Sequence, residues 1–238
     1  PREALQMTDL LDTRHTDGVF ILGDLKNDEA VLTDMVHHSQ QAVVALCRGP
    51  SPASLYTINT DNAAGSRKLL DHLAERGHRS FAFLDGGWLG DMRERREAYL
   101  AYLSENDLEQ RPEWMQPESN DPGGGYRAMS RLLELDRQPT AVFAADDLMA
   151  LGAVKAVFDS GRRVPDDVSV VGFDDIEMAE YYCPSLTTIR QPIEEMNRQA
   201  LSLMLDLINN PEAARAEIVI RIKPELVVRQ STGPVKSG

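Results

Sequence analysis

Short apolar runs recur along the chain, and each is followed by a stretch with the spacing of an amphipathic helix. Asp17-Gly-Val-Phe-Ile-Leu22 and Ala42-Val-Val-Ala-Leu-Cys47 read as strands around a helical stretch from Asp28 to Ser39. Ser54 to Thr60 is an extended piece, and Asn62 to Arg76 is a predicted helix with Ala64, Leu69, Leu70 and Leu73 on one stripe and Gly77 ending it. The rhythm continues with a strand over Ser80–Leu84, a helix from about Asp91 to Asn106, a strand near Trp114 to Pro117 and a helix from Gly125 to Leu135. A helix over Leu148–Ser160, closed by Gly161 and Pro165, and a last one over Ile193–Asn209 follow, with closing strands at Ile218–Ile222 and Glu225–Arg229. Alternation this regular predicts an α/β fold with a parallel, doubly wound sheet. With no Pro/Gly/Ser-rich break and no internal repeat, the units read as two lobes interleaved by crossovers, whose cleft is the expected binding site.

Two strands end in paired carboxylates. Thr140-Ala-Val-Phe-Ala-Ala-Asp-Asp147 and Val168-Ser-Val-Val-Gly-Phe-Asp-Asp175 are apolar until their last two residues, as buried parallel strands are where they deliver polar groups to a ligand. Open α/β sheets bind ligands outside the carboxyl ends of their strands, which makes Asp146, Asp147, Asp174 and Asp175 candidates by position. Asp is also a common helix N-cap, so one acid of each pair is expected to cap and the other to face a ligand.

Composition narrows the function classes. At 238 residues and 42% hydrophobic content the chain can bury a sizeable core, and no segment approaches the ~20 apolar residues that span a bilayer. No membrane association is expected. A net charge of −13 opposes a nucleic-acid footprint on this chain. Cys47 and Cys183 match no metal spacing, and His15, His37, His38, His72 and His78 form no ligand pattern, so no metal is expected and the histidines read as surface or structural. No cofactor is expected either: Gly123-Gly-Gly125 lacks the lysine of a phosphate loop and the spacing of a dinucleotide fingerprint, and reads as a flexible turn before Tyr126. The start at Pro1-Arg-Glu suggests an interior fragment.

Five segments in order carry a resemblance: Gly77-His-Arg, Pro139 to Gly152, Arg163 to Asp175, Pro184-Ser-Leu-Thr-Thr-Ile-Arg-Gln-Pro192 and Glu225-Leu-Val-Val-Arg-Gln-Ser-Thr232. Together they resemble the effector-binding core of LacI/GalR-family bacterial transcription regulators. The resemblance covers about Pro1 to Thr232 and implies a periplasmic-binding-protein type I fold. Its N-terminal lobe would hold residues 1–60 and 191–222, and its C-terminal lobe 61–190 and 223–238, with Thr60/Asp61 and Ile189/Arg190 as hinge crossings. Relative to the family, the helix-turn-helix headpiece and the opening strand, helix and strand of the first lobe are missing, so that lobe is expected to be N-terminally truncated in these residues and the chain itself is not expected to bind DNA.

The resemblance also assigns effector residues. In Met92-Arg-Glu-Arg-Arg-Glu-Ala-Tyr99, Arg95 matches the family's ligand-binding arginine, with Arg93 a second candidate, the alternative being an arginine-rich turn that only opens an exposed helix. Asp174 matches the ligand-binding aspartate. Asp146 stands where asparagine is usual, and an acceptor-only carboxylate there changes which groups are tolerated. Cys47 falls where an aspartate is usual, and Asn120 where several members stack an aromatic ring.

The implied function is allosteric. A small molecule, sugar or sugar derivative, binds between the lobes of a cytoplasmic homodimer and controls operator binding by headpieces outside this chain. The alternative on the same fold is the sugar-binding protein of a transport system. An enzyme reading rests on paired carboxylates doing glycosidic acid/base work and has no nucleophile elbow or cofactor motif beside it; no enzymatic activity is expected.

Overall fold

A computed structural model of the chain describes residues 16–24, 42–48, 56–87, 90–210 and 218–236. The helix expected over Asp28–Ser39 and three of the histidines, His15, His37 and His38, lie outside these residues. The chain divides into two compact units, one of Pro1–Thr60, Leu89–Asp91 and Pro192–Ile222, the other of Asp61–Trp88, Met92–Gln191 and Lys223–Gly238.

The first unit is built on a parallel sheet of β1 (Gly18–Leu22), β2 (Ala42–Leu46), β3 (Tyr56–Thr60) and a late strand, Ile218–Ile222, that pairs with β3; the order is β1, β2, β3 and then the late strand. The final long helix, Ile193–Asn209, lies on this sheet because its apolar positions recur at four-residue intervals: Met196, Ala200 and Met204 pack on Val44, Leu46 and Ile58.

The second unit carries α1 (Asn62–Glu75), β4 (Phe81–Asp85), α2 (Gly90–Glu105) from Met92 onward, β5 (Met115–Pro117), α3 (Pro122–Leu133), β6 (Ala141–Ala144), α4 (Asp147–Asp159), β7 (Ser169–Val171), α5 (Glu177–Tyr181) and β8 (Thr188–Arg190). The Ile193–Asn209 helix is α6, the Ile218–Ile222 strand is β9, and Glu225–Val227 is β10. The sheet order is β5-β4-β6-β7, all parallel. β4, β6 and β7 are fully buried, as continuous apolar runs covered on both faces must be.

Several elements depart from the sequence reading. The expected strand at Trp114 starts as a 3-10 turn, Pro112–Trp114, with the strand only at Met115–Pro117. The closing strand stops at Val227 and pairs antiparallel with β8, because the Arg229 N–H turns away to donate to Thr187 Oγ1 at 2.9 Å. Helix α5 had no sequence signal. Gly123-Gly-Gly125 is not a flexible turn but the first turn of α3, with Pro122 at its start and Asp121 as N-cap, Oδ1 accepting from Gly124 N at 2.7 Å. Glycine is required there by close helix packing: a Cβ on Gly125 would overlap the Met149 carbonyl of α4, and one on Gly152 the Pro122 carbonyl of α3.

The C-terminal segment is pinned into this unit. Ser231 is buried, its Oγ donating to Val170 O at 2.6 Å and accepting from Thr187 N at 2.8 Å. The two described histidines are structural pins of the same segment, His72 Nε2 lying 2.9 Å from Thr232 Oγ1 and His78 Nε2 3.0 Å from Gly233 O. No helix among the described residues is long and apolar enough to cross a membrane.

Candidate functional site

After β4 the chain adds β5 on one side and then crosses to β6 on the other, so the switch point of the sheet lies between β4 and β6. Ligands of open α/β sheets collect at such a point, outside the carboxyl ends. The residues leaving those ends here are Asp85 from β4, Ala145 and Asp146 from β6, and Phe173 and Asp174 beyond β7.

Arg95 reaches this edge from α2. Met92, Tyr99, Tyr102 and Leu103 form the buried stripe of that helix, and Arg95 falls on the same stripe, 1% exposed. A buried guanidinium has to be neutralised and hydrogen-bonded. Its Nε donates to Asn62 Oδ1 at 2.9 Å, Nη1 to the Ala145 carbonyl at 2.7 Å, and Nη2 lies 3.1 Å from Asp174 Oδ1. The Phe173 ring covers one face of the guanidinium at 3.7 Å, within cation–π range.

The two acid pairs divide their work differently from the expectation of one cap in each. Asp146 is the N-cap of α4, Oδ1 accepting from Met149 N at 2.8 Å, and its carboxyl also meets the Asn120 side chain. Asp147 is fully buried and ties three segments together: it accepts from Thr188 Oγ1 at 2.5 Å and from Ile176 N at 2.9 Å. In the second pair neither acid caps, since the N-cap of α5 is Ile176. Asp175 instead accepts from Arg190 Nε at 2.6 Å and from Arg229 Nη2 at 2.7 Å. Asp174 is the open member. Its side chain is 28% exposed, Oδ1 accepts from Gln191 Nε2 at 2.6 Å, and its backbone is held at φ 118° with its N–H donating to Ile189 O at 2.8 Å. A positive φ in a non-glycine residue costs on the order of 1 kcal/mol or more, and such strain gathers at functional sites.

Burial pushes the carboxyls upward. Asp146 rises to about 6, chiefly through desolvation, with repulsion from Asp174 adding to it. Asp147 rises to about 7 by desolvation, against the hydrogen bonds from Thr188 and Ile176. Asp174 is raised by desolvation, with the Arg95 charge pulling the other way.

Arg95, Asp146, Asp174 and Asn120 are therefore brought to one edge of the second unit. Arg93, two residues from Arg95 and on another face of α2, is 43% exposed with its Nε 3.8 Å from Glu97 Oε1, and does not join them. Cys47 belongs to the first unit, beyond the end of β2, at φ 53°. Neither Cys47 nor Cys183 is in a disulfide. The sequence reading missed Phe173, Asn62 and Gln191, although Phe173 and Gln191 both lie inside the segments that carried the resemblance.

Residues 70–232 match a family model described as a periplasmic binding protein-like domain. Over 225 residues the chain is 34% identical to the HTH-type transcriptional repressor PurR of Mannheimia succiniciproducens, covering 94% of this chain and 66% of that protein. It is 32% identical over 216 residues to the probable HTH-type transcriptional repressor ExuR of Bacillus subtilis, covering 90% of this chain and 64% of that one. The chain belongs to the LacI/GalR family. Among solved structures, that of the transcriptional regulator CelR in complex with cellobiose superposes with a TM-score of 0.87 at 31% identity, over 97% of this chain and 70% of that chain. The chain spans about two thirds of the length of the two repressors. Both relatives are named as transcriptional repressors.

Proposed function

We propose that this chain is the effector-sensing core of a transcription regulator. A small sugar-like molecule binds at the acid edge of the second unit and alters operator binding by a DNA-reading headpiece elsewhere in the protein. The observation that carries the reading is Asp174: a strained, partly buried carboxylate whose Oδ1 is oriented by buried Arg95 and by Gln191, an acceptor pre-positioned for hydroxyl donors. The cellobiose complex of CelR supports a sugar-like ligand, and the named repressors support the regulatory output and a cytoplasmic setting. Coupling needs the effector to favour one of two arrangements of the protein, with a coupling free energy of about 1–3 kcal/mol.

The regulator acts as a homodimer, and an apolar patch of the second unit is its candidate interface. Phe158 on α4 and Tyr181 on α5 are each 75% exposed, with Met178 and Tyr126 also exposed. Tyr126 donates to Asp159 at 3.2 Å, and both Tyr126 and Tyr182 lie within electrostatic range of Lys155, which brings α3, α4 and the end of α5 close together here. A patch of aromatic and methionine side chains with a polar rim fits a protein contact.

The test is calorimetric titration of the intact regulator with sugars, together with operator affinity with and without the sugar that binds. Asp174→Ala should weaken binding by about 1–3 kcal/mol, while Arg93→Ala leaves it unchanged. A bound sugar that leaves operator affinity untouched, or full affinity in Asp174→Ala, would overturn the reading.

A further inference from the structure

We infer that the acid edge is a charge filter: it accepts a hydroxylated effector that is neutral or carries an amine, it turns away sugar acids and sugar phosphates, and Asp146 sets that preference. The inference deepens the effector reading and rests on it.

Acceptors outnumber available donors at this edge. Asp146 commits Oδ1 to the N-cap bond, and Asp174 commits Oδ1 to Arg95 and Gln191. Among the described residues, Oδ2 of Asp174 takes no hydrogen bond. The Asn120 carbonyl oxygen is buried there without a partner, a second group that only a donor would satisfy. The cation that would welcome an anion is turned toward protein oxygens instead. Arg95 is 1% exposed, its Nε, Nη1 and Nη2 all point at protein oxygens, and Phe173 covers its ring-like face.

The charge count points the same way. Asp146 and Asp174 both feel this single guanidinium, and Asp147, close enough to repel both, is held among the described residues by the neutral donors Thr188 and Ile176. The next acid along the edge, Asp85 of β4, is already neutralised by Arg96 at 2.8 Å. An incoming carboxylate or phosphate would add like charge where burial is deep and screening weak, which costs several-fold to many-fold in affinity. A hydroxyl finds acceptors, and an ammonium both finds acceptors and offsets charge. Desolvation first, and repulsion from Asp174 after it, already push the Asp146 carboxyl up to about 6.

The intact regulator is titrated calorimetrically at pH 7.5 with matched sets on several hexose and pentose scaffolds, each as parent sugar, amino sugar, uronic or aldonic acid, and phosphate ester. On any scaffold that binds, the parent or amine should be tightest and the acid and phosphate weaker by about tenfold or more. Asp146→Asn keeps a good N-cap, and should cut that discrimination by about fivefold or more. A second arm needs no variant: between pH 5.5 and 8 the gap between a parent sugar and its acid should widen as Asp146 ionises beside Asp174, Asp147 and Arg95. An acid or phosphate that binds as tightly as its parent, an unaltered gap in Asp146→Asn, or a gap that stays flat with pH overturns the charge filter and leaves the effector reading standing. Absence of binding by every scaffold overturns the effector reading, and the filter with it.

Discussion

Replacing Arg95 by methionine tests whether the arginine is part of the fold before it is part of any ligand contact. Methionine keeps an unbranched stem against Phe173 and removes the guanidinium. The change removes one donor each from the Asn62 side-chain oxygen, from the Ala145 carbonyl and from Asp174 Oδ1, at 2.9, 2.7 and 3.1 Å, and Asp174 Oδ1 keeps Gln191. Removing one partner of a buried ion pair costs about 3–5 kcal/mol, and each stranded acceptor about 1–3 kcal/mol. Asp174 is 28% exposed and can recover water, so the lower range, about 3–5 kcal/mol in total, applies. At about 2–4 °C per kcal/mol for a chain of this size, the melting temperature falls by about 6–20 °C.

The pH dependence carries a sign. Arg95 holds the Asp174 carboxyl down against desolvation, so without it the folded pKa rises further above the unfolded value. A raised carboxyl pKa gives stability that is present at low pH and is lost as pH rises through the folded value. The deficit of Arg95→Met should therefore be larger at pH 8 than at pH 5. Thermal denaturation followed by circular dichroism, without effector, measures both. A fall of less than about 3 °C at pH 8, or an equal deficit at the two pH values, would refute the structural role. If the deficit is found, loss of effector binding in Arg95 variants reports disordered neighbours as much as a lost contact.

Gly152→Ala should lower the urea midpoint by the equivalent of about 1–3 kcal/mol or more, since its Cβ meets backbone at Pro122; an unchanged midpoint would mean that α3 and α4 do not pack through glycines. His72 is depressed to about 4 by burial, with Arg76 and His78 beside it, so its neutral form contributes stability that is complete above about 6.5 and lost as pH falls through about 4. Its imidazole C–H resonances should show a neutral ring at pH 5.5, and a titration midpoint near the ordinary value of about 6.5 would contradict its place on Thr232. Phe158→Glu should convert a dimer to monomer in light scattering at micromolar concentration, while a dimer that survives it places the interface on another face.

The parallel strands were legible because buried strands must be apolar on both faces, which leaves runs such as Ala141–Ala144 and Ser169–Val171 written plainly between helical stretches. The acid edge was legible for the same reason, since carboxylates that end such runs emerge at the carboxyl side of the sheet. Other features had no local signature. Gly123-Gly-Gly125 reads as a turn on propensity alone, and only the packing shows that α4 approaches this first turn of α3 too closely to admit a side chain on Gly125. Arg93, Arg95 and Arg96 share one turn of α2, and helical periodicity says only that they face different ways. Which one is buried depends on where Asn62, Ala145, Phe173 and Asp174 arrive from distant segments. The aspartate pairs divide in the same manner: Asp175 becomes an anchor because Arg190 and Arg229 reach it, Asp147 because Thr188 and Ile176 do, and Asp174 and Asp146 are left at the edge. The amino-acid order by itself determined the strand–helix alternation and the family, because periodicity and motif are properties of neighbours along the chain. Only the tertiary structure decided which charges are structural and which face a ligand, because that is settled by partners more than a dozen residues away competing for each carboxylate.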